Sequence, residues 1–144
     1  MAKNITRIVA FAATLSLLLL SSMDLFAKRP VFKNTKWACV EEMFVADAGT
    51  ETDTTTLEFG PGKEIVIRRS WFLPAHPATY VNADGTVDMM PARNNEYTSK
   101  GTWKYRWGKL TVTLEDGSKE EFRYIKGMLV QKGTEGGVRV FRLQ

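Results

Sequence analysis

Few residues in this 144-residue chain could do chemistry, and their types and spacing restrict what that chemistry could be. His76 is the only histidine, so a Ser-His-Asp triad would have to use it and a two- or three-histidine metal site is excluded. It stands between Ala75 and Pro77 in "FLPAHPA", with no nucleophile pattern nearby, which reads as an exposed loop residue rather than a general base. Glu41-Glu42 and Glu120-Glu121 are carboxylates adjacent in sequence, but on a strand neighbours face opposite ways and make no dyad. The inward member of each pair would be a buried carboxylate with Arg69 or Arg142 as partner, an arrangement that is as often structural as functional. The segment "ADAGTETD" has a calcium-loop composition, yet its acids Asp47, Glu51 and Asp53 lack the spacing of an EF-hand. Cys39, the sole cysteine, lies between Ala38 and Val40 and reads as a small buried hydrophobe rather than a reactive thiol. No nucleophile, base and orienting group come together, so the expectation is a non-enzyme with no metal and no cofactor.

Aromatic residues are the remaining candidates. The stretch "GTWKYRWGKLTVTLEDGSKEEFRY", Gly101 to Tyr124, sets five of them among charges. Within it Trp103 and Tyr105 share one strand face against Thr102, Lys104 and Arg106, and Leu110, Val112 and Leu114 oppose Thr111, Thr113 and Glu115. Phe122 and Tyr124 likewise oppose Lys119, Glu121 and Arg123. Period-two alternation of this kind marks strands with one dry and one wet face. Asp116-Gly117 suits a two-residue hairpin turn that pairs Leu110 to Glu115 with Ser118 to Ile125.

The elements that must position these rings follow from the punctuation. Gly85, Gly108, Gly117, Gly127 and the Gly136-Gly137 pair stand in turn contexts, the last four about ten residues apart, which is the spacing of an antiparallel sandwich or barrel. Strands are expected at Lys36 to Val45, Thr54 to Phe59, Glu64 to Trp71, Thr86 to Met90, Tyr97 to Arg106, Lys109 to Glu115, Ser118 to Lys126, Met128 to Gln131 and Val138 to Leu143. "VADAGTETD" (Val45 to Asp53) is polar and reads as a mobile loop, and the two prolines of "FLPAHPA" make Phe72 to Ala78 an extended loop. Eight or nine strands without a helix give an all-β, single-domain fold, and an eight-stranded sheet closed on itself leaves no exposed edge. Trp37, Trp103, Tyr105, Phe122 and Tyr124 would then converge inside, joined by Cys39, Met43, Leu57 and Phe59. They either fill a plain core or line a pocket for one small ligand, because an eight-stranded barrel is near the width at which its own side chains fill it. Trp71 and Phe72, in "SWFLPAHPATY" (Ser70 to Tyr80), would close over the mouth as a lid or, in the plainer alternative, cover a barrel end.

"NTKWACV" together with the Gly101 to Tyr124 stretch resembles the small bacterial lipocalin-like proteins. Trp37 matches an early strand Trp, Gly101-Thr102-Trp103 a later Gly-Thr-aromatic strand, and Leu110 to Thr113 with Asp116-Gly117 a Leu-Thr hairpin; Thr35 departs where the early motif has Gly. The resemblance covers residues 34 to 143 and implies an antiparallel up-and-down barrel of about eight strands with apolar small-molecule binding at one open end.

The N-terminus fits export. Lys3 and Arg7 precede the thirteen-residue apolar run Ile8 to Leu20, too short for a spanning helix of about 20 residues but suited to a secretory signal, with a cut expected after Ala27. Residues 1–27 are thus a signal peptide and 28–144 the barrel domain, located in the periplasm or secreted, with no stable membrane anchor after cleavage. The net charge of +4 is spread among interspersed acids, so no nucleic-acid partner is expected. Two functions remain: a binder that holds a small apolar or amphipathic ligand in the barrel on Trp37, Trp103, Tyr105, Phe122, Tyr124, Trp71 and Phe72, or a filled barrel that meets a protein partner through loops 46–53 or 71–80.

Overall fold

The computed structural model describes residues 29–133 and 136–144, so the expected signal peptide, Met1 to Ala27, lies outside the described residues. Ten strands follow one another in chain order: β1 (Lys36–Val45), β2 (Gly49–Phe59), β3 (Glu64–Leu73), β4 (His76–Pro77), β5 (Met89–Met90), β6 (Arg93–Arg106), β7 (Lys109–Leu114), β8 (Lys119–Ile125), β9 (Met128–Lys132) and β10 (Val138–Leu143). Eight of them close a barrel in the order β1-β10-β9-β8-β7-β6-β3-β2, and β4 pairs with β5 as a separate two-stranded arm between β3 and β6. Every pairing in the barrel is antiparallel and joins strands that are successive in the barrel, β3 and β6 being separated along the chain only by the β4–β5 arm, apart from the closing β1–β10 seam, so the barrel is an up-and-down meander. Among the described residues there is no helix. The barrel unit runs from Phe32 to Gln144.

The alternation expected from the sequence decides the interior. Trp37, Cys39, Leu57, Phe59, Ile65, Ile67, Trp103, Leu110, Val112, Phe122, Leu129 and Phe141 are all buried and belong to one cluster. One ring in that cluster comes from outside the strands. Phe32, only 2% exposed, enters the base of the barrel from the segment before β1. It stacks on Phe59 with ring centroids 5.2 Å apart and meets Trp103 edge-on at 5.6 Å, Tyr105 at 5.3 Å and Tyr124 edge-on at 6.2 Å. A tight turn aims it. The Thr35 amide donates to the Phe32 carbonyl at 3.1 Å, the Thr35 hydroxyl donates to the same carbonyl at 2.5 Å and accepts from Trp37 Nε1 at 2.9 Å. Asn34 adopts φ 57°, a left-handed conformation that Asn tolerates better than most residues, and its amide donates to Gly60 O at 3.2 Å. The base is therefore a layer of six packed rings, and Phe122 and Phe141, edge-on at 5.4 Å, begin the aliphatic layer above it.

The walls are unequal. Strands β1, β2, β3 and β6 have 10, 11, 10 and 14 residues, whereas β7 to β10 have 6, 7, 5 and 6. The four long strands stay in register to the tip, with Val45 opposite Gly49, Thr52 opposite Phe72 and Leu73 opposite Arg93, so one half of the barrel stands taller than the other. On the short side the ladders stop early: β8–β9 has three registered pairs and β1–β10 two. Gly101 marks where β7 joins the long β6. A Cβ there would sit 2.2 Å from the Thr113 carbonyl oxygen, so the close approach of these two strands requires glycine.

Several boundaries differ from the sequence expectation. Gly49–Asp53 belongs to β2 rather than to a loop, because Thr50 and Thr52 are β-branched and pair across to Phe44 and Glu42 on β1. β3 continues through Trp71, Phe72 and Leu73, and the first proline, Pro74, ends it one residue later. The Asp116-Gly117 turn has three residues between Leu114 and Ser118; the Leu114 amide donates to Ser118 O at 2.9 Å, and only Gly117 takes positive φ. Asp116 instead accepts from the Ser118 amide at 2.8 Å and hydroxyl at 2.6 Å, bonds that hold its carboxyl below the usual range. Replacing Phe32 by Ala removes the ring on which five others pack, and urea unfolding followed by tryptophan fluorescence should show a loss of about 3–5 kcal/mol. A loss below about 1 kcal/mol would mean that the ring does not fill the base.

Candidate functional site: rim and polar layer

Above the aliphatic layer the interior turns polar. Inward positions on six strands carry Glu41, Thr55, Arg69, Glu120, Gln131 and Arg139, joined into one chain of hydrogen bonds. Arg69 on β3 forms an ion pair with Glu120 on β8. The other Glu120 oxygen accepts from Gln131 Nε2 on β9 at 3.0 Å. Arg139 on β10 donates through Nη1 to Gln131 Oε1 at 3.5 Å, through Nη2 to Thr55 Oγ1 at 2.6 Å, and through Nε to Glu41 Oε2 at 2.7 Å. The side chains of Glu120 and Arg139 are 16% and 19% exposed, so each charge is largely desolvated and held by several partners at once.

These bonds lie where the backbone ladders are missing. The Glu120–Gln131 bond spans the β8–β9 gap beyond the last registered pair, Arg123–Val130, and the Glu41–Arg139 pair spans β1–β10 beyond Ala38–Arg142. Side chains thus close the upper barrel across two open seams. The sequence predicts one inward carboxylate in each of the pairs Glu41-Glu42 and Glu120-Glu121, with Arg69 or Arg142 as partner, and the inward members are Glu41 and Glu120. Arg69 does pair with Glu120, but the other cation is Arg139, and Arg142 is exposed. The signal was present: Arg139 has the same strand parity as Phe141, so a buried Phe141 sends Arg139 inward as well.

The aromatic residues expected to line a pocket are placed as follows. Trp37, Trp103 and Phe122 are buried, and Tyr105 and Tyr124 pack against the same cluster, all around Phe32 or one layer above it. Lys63 Nζ lies 4.0 Å from the Trp103 ring centroid, and Trp103 Nε1 is the one buried side-chain polar atom without a hydrogen-bond partner among the described residues. Trp71 and Phe72 belong to β3 rather than to a loop, with Trp71 half-buried on the inward parity of Arg69 and Phe72 exposed on the outer face. As consecutive residues of β3 they face opposite sides, with Trp71 opposite Asp53 and Asn95 and Phe72 opposite Thr52 and Asn94.

The two segments expected as partner-binding loops do meet. Ala46, Asp47 and Ala48 at the β1–β2 tip and His76 to Tyr80 of the arm line one shallow depression of about 190 Å³. His76 is half-buried there, its Nδ1 3.0 Å from the Pro74 carbonyl, a contact that assigns the ring proton to Nδ1. The arm orders itself: Ala78 N donates to Asp88 O and Asn82 N to Thr86 O, both at 2.8 Å. Rim and arm are also greasy. Of fourteen exposed large apolar side chains among the described residues, nine are here: Val40, Phe44 and Phe72 on the outer face of the tall wall, Met43 and Tyr97 on its inner face, and Tyr80, Val81, Val87 and Met89 on the arm. Val40, Phe44 and Phe72 share the outer face of β1–β2–β3 on a floor of Thr50, Thr52, Thr54 and Ser70, with Phe44 78% exposed. Acidic residues surround them, including Glu42, Asp47, Glu96, Asp84 and Asp88.

Among the described residues no group of three or more His, Cys, Asp and Glu side chains could hold a metal ion. Cys39 is buried, and burial, with Glu41 nearby, pushes its thiol up. No family model, curated protein or solved structure matches the chain. What fold and site define is therefore a class: a closed eight-stranded antiparallel barrel with a ring-filled base and a polar upper interior.

Arg139→Ala removes the donor shared by Glu41, Thr55 and Gln131 and should cost about 2–3 kcal/mol in urea unfolding, whereas Arg142→Ala should stay within about 0.5 kcal/mol. Because the folded Cys39 thiol titrates above an unfolded one, its contribution to stability is full below the ordinary thiol range and is lost as pH rises through the folded value. In agreement with that shift, dithionitrobenzoate at pH 8 should leave native Cys39 unmodified over minutes and label it at once in 8 M urea, with rapid native labelling as the contrary result.

Proposed function

We propose that this is an exported, non-enzymatic protein-interaction domain that acts through the outside of a filled barrel, with the tall rim and the β4–β5 arm as the contact surface. The observation that carries this reading is the collection of seven exposed apolar side chains on the outer face of the tall wall and on the arm, where Phe44 and Phe72 stand on a flat threonine-lined sheet face. Soluble proteins rarely keep large apolar patches exposed without a partner, and aromatic residues at the centre of such a patch are the usual anchors. The acidic surround fits a partner that sets its own apolar anchors among Lys and Arg. Export is supported by the positively flanked apolar run Ile8 to Leu20.

The up-and-down order of eight strands supports placing the chain among lipocalin-like barrels, as a variant whose base is occupied by its own side chains. An apolar ligand at the base would have to displace Phe32 from contact with five rings.

A photo-crosslinking amino acid placed at Phe44 in the native host should yield one discrete adduct that is lost in the Phe72→Glu background, while the same probe at outward Thr111 yields none. Phe72 is half-exposed, so the Glu variant should melt within about 3 °C of wild type. Equal adducts from both probe positions, or none from Phe44, would sink the rim as the working surface.

A further inference from the structure

The opposite end of the barrel carries a different surface. The β6–β7 hairpin turns on Trp107 and Gly108, at φ 54° and 77°, a two-residue turn in which Asn or Gly is the residue the backbone prefers. Trp107 is 88% exposed, the most exposed large apolar side chain among the described residues. Neither the turn nor the core has a use for an indole at this position. Cations surround it: Lys104, Arg106, Lys109 and Arg123 line, with Trp107, a concavity of about 390 Å³, and the Arg106 guanidinium lies 5.9 Å from the Trp107 ring centroid. Glu121 neutralises Lys109, and the other three form no ion pair among the described residues. The neighbouring β8–β9 turn adds exposed Ile125 and Lys126, and Tyr124 N donates to Gly108 O at 2.9 Å, so the two turns are joined.

We propose that this end is a peripheral docking site for an anionic phospholipid bilayer, with Trp107 as the interfacial anchor, Ile125 beside it, and Arg106, Arg123 and Lys126 contacting headgroup phosphates. An indole with cations around it matches both layers of such a surface: the ring settles at the headgroup level while Lys and Arg meet the negative potential. A free anion would need the cations but not the exposed ring, and a nucleic-acid strand would need several stacking rings along a groove rather than one at a hairpin tip. This inference is independent of the rim, which lies at the other end of the strands.

The test uses the full chain and vesicles of phosphatidylcholine alone or with phosphatidylglycerol, with the Trp107-specific signal taken as the difference between wild type and Trp107→Asn. Expected are a blue shift and quenching by bromolipid in that difference, with anionic vesicles only. Arg106→Gln/Arg123→Gln should weaken vesicle association roughly 25-fold, since each cation near such a surface contributes about a factor of five. Trp107→Asn suits the turn, so its melting temperature should be equal or higher, which separates lost docking from lost folding. An unshifted Trp107, an identical signal on neutral vesicles, or displacement of the protein from vesicles by an equal charge of heparin or oligonucleotide with retention on that polyanion would each overturn the proposal. The first outcome would take Trp107 out of the bilayer, the second would remove anionic headgroups from what it recognises, and the third would make the site a general polyanion surface.

Discussion

Phe32 sets the terms for this barrel. Eight strands enclose a volume close to what their own side chains can fill, and whether a cup remains depends on how the ends are sealed. Here the chain seals the base before the first strand begins. A turn fixed by Thr35 and Asn34 drives one phenyl ring into contact with Trp37, Phe59, Trp103, Tyr105 and Tyr124, and an aliphatic layer of Leu57, Ile67, Val112 and Leu129 covers it. Fully burying a ring of this size stabilises a fold by about 1.5–3 kcal/mol from area alone, before its ring-on-ring geometry is counted.

What the base supplies by packing, the top supplies by charge. The short strands leave two seams with few backbone rungs, and a broken ladder in a barrel wall exposes main-chain donors and acceptors. Glu120–Gln131 and Glu41–Arg139 carry side-chain bonds across those seams, and Arg69 and Thr55 tie them to the tall wall. A polar layer so connected is demanding, since removing one member strands the others in a poorly solvated place. It also explains why the upper half need not be apolar: the tall wall stands on its own four-stranded ladder and is free to present Phe44, Phe72 and the arm outward.

Much of the base was legible in the sequence because strict alternation there states which side chains are dry; Trp103 with Tyr105, and Leu110 with Val112, point inward as their parity requires. Phe32 was not, because it precedes the first strand and no period includes it. The rim was hidden for a different reason. "TETD" (Thr50 to Asp53) and "RNNE" (Arg93 to Glu96) are polar on both faces and fall outside the expected strands, yet each pairs along its length with a neighbour already in the sheet, and the backbone ladder, helped in the first by β-branched Thr, is enough to hold it there. Trp71 and Phe72 were read through the prolines that follow them, but Pro74 ends a strand without disturbing the residues before it. Trp107 shares parity with Trp103 and Tyr105, and only the turn at Gly108 takes it out of the interior.

The claim on which the rest depends is that the barrel holds no apolar void of its own. Xenon under pressure enters dry cavities large enough to accept it and reports their position directly in a crystal. The filled base predicts no xenon site inside the barrel bounded by Phe32, Trp103, Phe122 and Leu129. A well-occupied xenon atom among those side chains would contradict it and return the function to the interior.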